Sequence, residues 1–125
     1  MIVLDTHILL WLHIEKQKVP NEVFTEVERK IDLGISAISL WEISMLYQKK
    51  RIELPCKPLE WFNLTFSNPK FKLLPITPEI AAISGTLEMH GDPADRIIAA
   101  SSIFHKCPLA TVDGKLCELD FLDIV

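Results

Sequence analysis

Met1-Ile2-Val3-Leu4-Asp5-Thr6-His7 opens the chain, and the reading of these seven residues decides the fold. Met1 to Leu4 is an unbroken apolar run with none of the alternation of a half-exposed strand. A run of this kind marks a strand buried on both faces, as in a parallel sheet. Asp5-Thr6 ends it. Thr6 is expected to cap a following helix whose apolar positions, Ile8, Leu9, Trp11 and Leu12, share one face.

The same alternation continues outward. Pro20-Asn21 starts a second helical segment, with Val23, Phe24, Val27 and Ile31 at helical spacing and a stop near Gly34. Ile35-Ser36-Ala37-Ile38 reads as a second short strand. Ser39 then reads as an N-cap with Glu42 three residues on, a capping box that opens a helix to about Lys50. Prolines 55, 58, 69, 75 and 78 punctuate the middle, with a helix over 59–66 and a brief strand at Leu73-Leu74. Pro78 opens a helix that stops near His90-Gly91. Asp92-Pro93 is an N-cap followed by proline at the first helical position, and that helix runs to about His105. A buried strand over 108–112, a turn at Asp113-Gly114 and an edge strand over 121–125 complete the chain. Short apolar strands alternating with helices predict an α/β fold, a parallel sheet with helices on both faces. In such sheets ligands gather at the carboxyl ends of the strands.

With 125 residues the chain has room for one domain, 1–125, and enough length to bury a sizeable core. Hydrophobic residues make up 49% and charged residues 24%, a globular composition. The net charge of −4 argues against a broad basic face for nucleic acid. Cys56, Cys107 and Cys117 are an odd set without C-x-x-C spacing, so free thiols in a reducing cytoplasm are expected. The amino terminus has no basic stretch of the secretory kind, and no run approaches the length of a membrane helix. The expected location is cytoplasmic.

Four carboxylates carry the functional reading. Asp5 follows one apolar run, Glu42 follows Ile38-Ser39-Leu40-Trp41, Asp95 precedes Ile97-Ile98-Ala99-Ala100, and Asp113 follows Leu109-Ala110-Thr111-Val112. Each has a bland explanation alone: Asp5 as a cap, Glu42 in its capping box, Asp95 in a box with Asp92, Asp113 in a turn with Gly114. Together they place four acids at one end of the predicted sheet, with Asp5 and Asp113 at strand ends and Glu42 and Asp95 in first helical turns. Like charges so gathered repel unless a divalent cation sits among them. Mg²⁺ and Mn²⁺ prefer oxygen ligands and leave positions for a phosphate oxygen and a water, whose pKa the ion lowers.

Thr6, Ser39 and Thr111 flank three of these acids and could orient a carboxylate, with helix capping or strand propensity as the plainer reading; Asp92 is first a cap and second a member of the site. Arg96 could reach phosphate or pair with a surface acid. His7, His13, His90 and His105 form no metal motif; His7, just past Asp5, could face the pocket, with a capping or core role as the plainer reading. Lys49-Lys50-Arg51, the only basic cluster, reads as a solvated helix end or as a guide for an RNA backbone. Trp11, Trp41 and Trp61 read as core or interface residues.

Leu4-Asp5-Thr6-His7, Leu40-Trp41-Glu42-Ile43, Asp92-Pro93-Ala94-Asp95-Arg96 and Thr111-Val112-Asp113 resemble, in order and spacing, the acidic motifs of PIN domains, and above all those of VapC-type toxin ribonucleases. The resemblance covers the whole chain. It implies a three-layer α/β/α sandwich around a mainly parallel sheet. It also implies a Mg²⁺- or Mn²⁺-dependent endoribonuclease that cleaves RNA, transfer RNA among the candidates, with Asp5, Glu42, Asp95 and Asp113 as metal-holding and catalytic residues. It further implies a homodimer silenced by a small antitoxin protein. The Asp92/Asp95 pair departs from the commonest pattern, and the ligand role goes to Asp95, which directly precedes the apolar helix. The alternative is a PIN-fold module that binds RNA or protein without catalysis.

Overall fold

Successive apolar residues on the first strand already call for packing on both sides of it. In the computed structural model, which describes residues 1–125, β1 (Ile2–Leu4) is fully buried. Ile2 and Leu4 enter one core cluster and Val3 enters another on the opposite face, as the alternation of a strand requires. α1 (Thr6–Ile14) and α2 (Asn21–Arg29) follow, then β2 (Leu33–Ser36) and α3 (Ala37–Gln48). α4 (Pro58–Ser67), β3 (Phe71–Leu74), α5 (Pro78–Thr86), α6 (Pro93–His105), β4 (Leu109–Ala110) and α7 (Gly114–Cys117) complete the chain.

The sheet is wholly parallel, in the order β3-β2-β1-β4. Its first face packs Ile8, Leu9 and Leu12 of α1, Val23 and Val27 of α2 and Trp61 of α4. Its second face packs Ile98 and Ala99 of α6 and Leu116 of α7. α3 serves both, with Ile43 in the first cluster and Ile38 against the second. The result is the expected α/β/α sandwich. Strand order reverses between β1 and β4, and at such a switch point the connections leave in opposite directions and open a crevice at the carboxyl ends.

Several local expectations are corrected. β2 lies two residues earlier than predicted, because Ser36 caps α3: its hydroxyl accepts from the Ile38 N–H at 3.2 Å, which draws Ala37 and Ile38 into the helix. Gly34, read as a helix stop, is a strand residue, and α2 ends at Arg29. A Cβ on Gly34 would lie 2.7 Å from Leu74 Cδ1, so the glycine permits close packing of neighbouring strands. α5 ends at Thr86 rather than near His90. Asp113-Gly114 is the start of α7 and not a simple turn, with Asp113 as its N-cap. Instead of an edge strand over 121–125 there is one parallel bridge, Leu109 to Ile124.

Candidate active site

β1 and β4 end side by side, and the residues just past them meet. Asp5 is the N-cap of α1; its Oδ1 accepts from the Thr6 N–H at 2.8 Å, so the cap is Asp5 and not Thr6. Its Oδ2 accepts from the Thr111 hydroxyl at 2.7 Å, which ties the two strand ends together. The same Thr111 oxygen accepts from the Asp113 N–H at 3.0 Å. Thr111 and Asp5 are 3% and 7% exposed, so these bonds are made away from water, where leaving one unmade is costly.

The expected capping box of Ser39 and Glu42 does not form. Ser39 is inside α3, and Glu42 stands in its second turn rather than its first. Both side chains turn toward the strand ends instead. Thr6 Oγ1 lies 2.5 Å from Glu42 Oε1 and 2.9 Å from Ser39 Oγ. A hydroxyl has one proton to give. Thr6 gives it to the carboxylate, and the buried Ser39 hydroxyl donates to Thr6 in turn. Thr6 and Thr111 therefore bond Glu42 and Asp5 directly, and Ser39 acts only through Thr6, by contacts that sequence spacing did not show.

α6 brings the second set. Asp92 is the N-cap, accepting from the Ala94 N–H at 3.1 Å, and Asp95 lies in the first turn, where the helix dipole favours a negative charge. Asp95 makes no capping box; its Oδ2 bonds His90 Nε2 at 2.7 Å. His90 is the residue that sequence reasoning missed. It precedes Asp95 by five positions across a loop and a proline, and no spacing rule links them. Arg96 contacts neither phosphate nor acid. Its guanidinium donates to the carbonyls of Ser84, Leu87, Met89 and His90 at 2.8–3.1 Å. Those bonds satisfy the carbonyls that α5 abandons after Thr86, and they hold His90 in place.

Asp5, Glu42, Asp92, Asp95 and Asp113 surround one cavity of about 320 Å³, with His7, Trp11 and Val112 completing its walls. The four predicted acids are thus brought together, joined by Asp92. His7 is exposed at the rim, contrary to the capping or core role of its plainer reading. Of the tryptophans, Trp61 is core, Trp41 is exposed, and Trp11 faces this cavity.

The electrostatics record the crowding. Burial raises the Asp5 carboxyl above its ordinary value against the pull of Thr111 and Thr6, and neighbouring Asp113 raises it further. Burial also raises Glu42, opposed by the Thr6 hydroxyl, with Asp5 adding repulsion. Asp95 is pushed up to about 6, first by burial and then by Asp92, Asp5 and Asp113, against the lowering effect of His90. Clustered carboxylates that resist ionisation are the condition a cation relieves. The donors are hard oxygens, the set Mg²⁺ or Mn²⁺ prefers. One ligand atom from each of His90, Asp92 and Asp95 lies within 4.8 Å of the others. The residues present fit such an ion.

Comparison with known proteins agrees with this geometry. Residues 2–122 match the PIN domain family. Ribonuclease VapC22 of Mycobacterium tuberculosis is 32% identical over 117 residues, covering 92% of this chain and 88% of that protein. Two solved structures share the fold. A toxin–antitoxin complex from Klebsiella pneumoniae aligns with TM-score 0.69 at 19% identity, covering 100% of this chain and 96% of that one. VapBC2 from Rickettsia felis, bound to a promoter DNA fragment, aligns with TM-score 0.70 at 20% identity, covering 100% and 98%.

Proposed function

This chain belongs to the PIN-domain family, and on that premise we propose that it is a metal-dependent endoribonuclease, the toxin of a toxin–antitoxin pair. The observation that carries the proposal is the meeting of five carboxylates around one cavity where the strand order reverses. VapC22, a ribonuclease, matches along nearly the whole chain. In this reading residues 1–125 act as one unit.

Asp5 and Asp95 would hold Mg²⁺ or Mn²⁺, assisted by Glu42 and Asp113, with Asp92 and His90 at the margin of the set. The bound ion supplies charge neutralisation for a phosphodiester and acidifies a water. Thr6 fixes Oε1 of Glu42, which leaves Oε2 to accept the proton of the attacking water. Burial raises Glu42 toward the range in which a carboxylate is an effective base. Asp113, whose N–H is held by Thr111, lines the same cavity and would help to orient that water. Attack is in line, the phosphorus–oxygen bond opposite the water breaks, and the departing oxygen takes a proton. The substrate is RNA, with transfer RNA the first class to test. A small antitoxin is part of the proposal, as the similar structures include a toxin–antitoxin complex, and a homodimer is proposed with it from the resemblance of the acidic motifs alone. No helix is long and apolar enough to cross a membrane, and the protein is proposed to act in the cytoplasm.

Cleavage of a total RNA and transfer-RNA mixture by purified protein tests this, with Mg²⁺ or Mn²⁺, with EDTA, and with Asp95→Asn. Discrete cuts that vanish with EDTA and in the variant are expected. Cutting that persists in both would remove the assignment.

A further inference from the structure

The two positions of this chain that adopt left-handed backbone without being glycine are both lysines, Lys50 with φ 58° and Lys106 with φ 54°. Each follows a helix. At the end of α3, Lys50 N–H bonds Tyr47 O at 3.0 Å and Arg51 N–H bonds Leu46 O at 2.9 Å. At the end of α6, Lys106 N–H bonds Ile103 O and Cys107 N–H bonds Ser102 O, both at 3.1 Å. This paired closure suits glycine, because a Cβ is strained in left-handed backbone. A lysine there keeps a side chain at the expense of the backbone. Lys106 stands at the end of α6 remote from Asp95. Lys50 lines a cavity that adjoins the acidic one.

Lys50, Arg51 and Lys18 line a cavity of about 670 Å³ that shares two wall residues, His7 and Trp11, with the acidic one. The two cavities therefore adjoin, one lined by cations and the other by acids, with His7 and the Trp11 indole between them. Lys18 is paired to Glu15 at 3.0 Å and lies over the Trp11 ring at 5.9 Å. Glu53 also faces the cavity, but Lys50 and Arg51 are in no ion pair. In a chain of net charge −4 these are free cations beside the one place where a phosphodiester must approach five acids.

We propose that this basic cavity seats the stretch of single-stranded RNA flanking the scissile phosphate, with Lys50 and Arg51 on its backbone phosphates and Trp11 against a base. The proposal rests on the nuclease reading above and extends it to how substrate is held. Aromatic walls serve unstacked bases, and backbone cations serve any sequence, so a single strand is favoured over a duplex.

The test uses the full chain, carrying Asp95→Asn for binding to a fluorescent oligouridylate over a salt series, and without it for cleavage. Lys50→Gly is expected to raise the melting temperature, because the strained backbone is relieved, and yet to weaken RNA binding severalfold. Adding Arg51→Ala is expected to weaken it further. The slope of log affinity against log salt should fall by about 0.7 for each cation removed. In cleavage the loss should enter through KM. Lys106→Gly should raise the melting temperature likewise and leave affinity and salt slope unchanged.

Wild-type affinity and slope in the Lys50→Gly/Arg51→Ala protein, while the parent still cuts RNA, would overturn this proposal and leave the nuclease reading standing. A parent that neither binds nor cuts RNA would overturn both. Equal or tighter binding of duplex RNA would overturn the single-strand assignment.

Discussion

The acids on the two walls of the cavity are held by different means. On the sheet wall, Asp5 is tied by the Thr111 hydroxyl and Glu42 by that of Thr6, which Ser39 backs, all three of them buried. Asp5 follows a strand end and is tied to the adjacent one through Thr111, and Glu42 reaches in from α3 to Thr6. On the α6 wall, Asp92 is exposed, Asp95 leans on the ring of His90, and the loop carrying that ring hangs from Arg96. The sheet wall is built for position. The α6 wall is built for charge, since Asp95 is the acid displaced furthest, to about 6. Under the proposed function, holding a cation and later releasing product would need both properties: fixed ligands to define the place, and a crowded acid that gains most when the ion arrives.

The largest test of this contrast is in activity. Asp5→Asn and Asp95→Asn should each reduce cleavage by about 100- to 1000-fold, the scale of losing one charge-stabilising group. Near-normal metal-dependent cleavage by either variant would show that its wall does not serve the chemistry.

Next in size is the pH dependence of stability, measured without metal. The folded-state value of Asp95 lies above the ordinary 3.8, so the folded protein binds that proton more tightly than the unfolded chain. Its contribution to stability is complete below pH 3.8, declines as pH rises through about 6, and is level above that. The decline amounts to at most roughly 3 kcal/mol. Asp95→Asn should flatten it in denaturant unfolding followed from pH 4 to 8, and a decline that survives in the variant would assign it to another group.

Metal should reverse the same penalty. Mn²⁺ at a hundredfold excess over its Kd should stabilise the protein by about 2.7 kcal/mol, seen as a higher melting temperature at neutral pH. Asp95→Asn should diminish that gain. An unchanged melting temperature in millimolar Mn²⁺ would remove the ion from the reading.

The smallest effect belongs to the sheet wall. Thr111→Val takes away the donor to Asp5 and the acceptor for the Asp113 N–H, and should cost about 1–3 kcal/mol in chemical denaturation. A cost near zero would mean that the strand ends hold Asp5 without that hydroxyl.

These walls were not equally legible. The sheet wall was half read: Asp5 and Asp113 were assigned to strand ends because an apolar run that stops at an acid is a one-dimensional signal. Glu42 was correctly gathered with them but for a mistaken local reason. Ser39-x-x-Glu42 has the form of a capping box, yet Ser36 three residues earlier caps α3, and that shift turns Glu42 toward Thr6. The α6 wall was read through Asp92-Pro93, a start signal made of local backbone preferences, and that helix begins where expected. His90 and Arg96 escaped, because each acts through a loop that leaves α5 early, and carbonyls seeking a guanidinium write no pattern in sequence.

From residue order alone came the alternation of buried strands and helices, the parallel sheet, and the acids at element ends. These follow from hydrophobic burial and capping, which act between near neighbours in the chain. Tertiary structure decided which hydroxyl holds which carboxylate, that His90 rests on Asp95, and that Lys50 and Arg51 line the cavity next to the acid one. Those depend on the register of β1 against β4 and on the path of loops between helices, contacts between residues far apart in sequence, set only when the whole sheet closes.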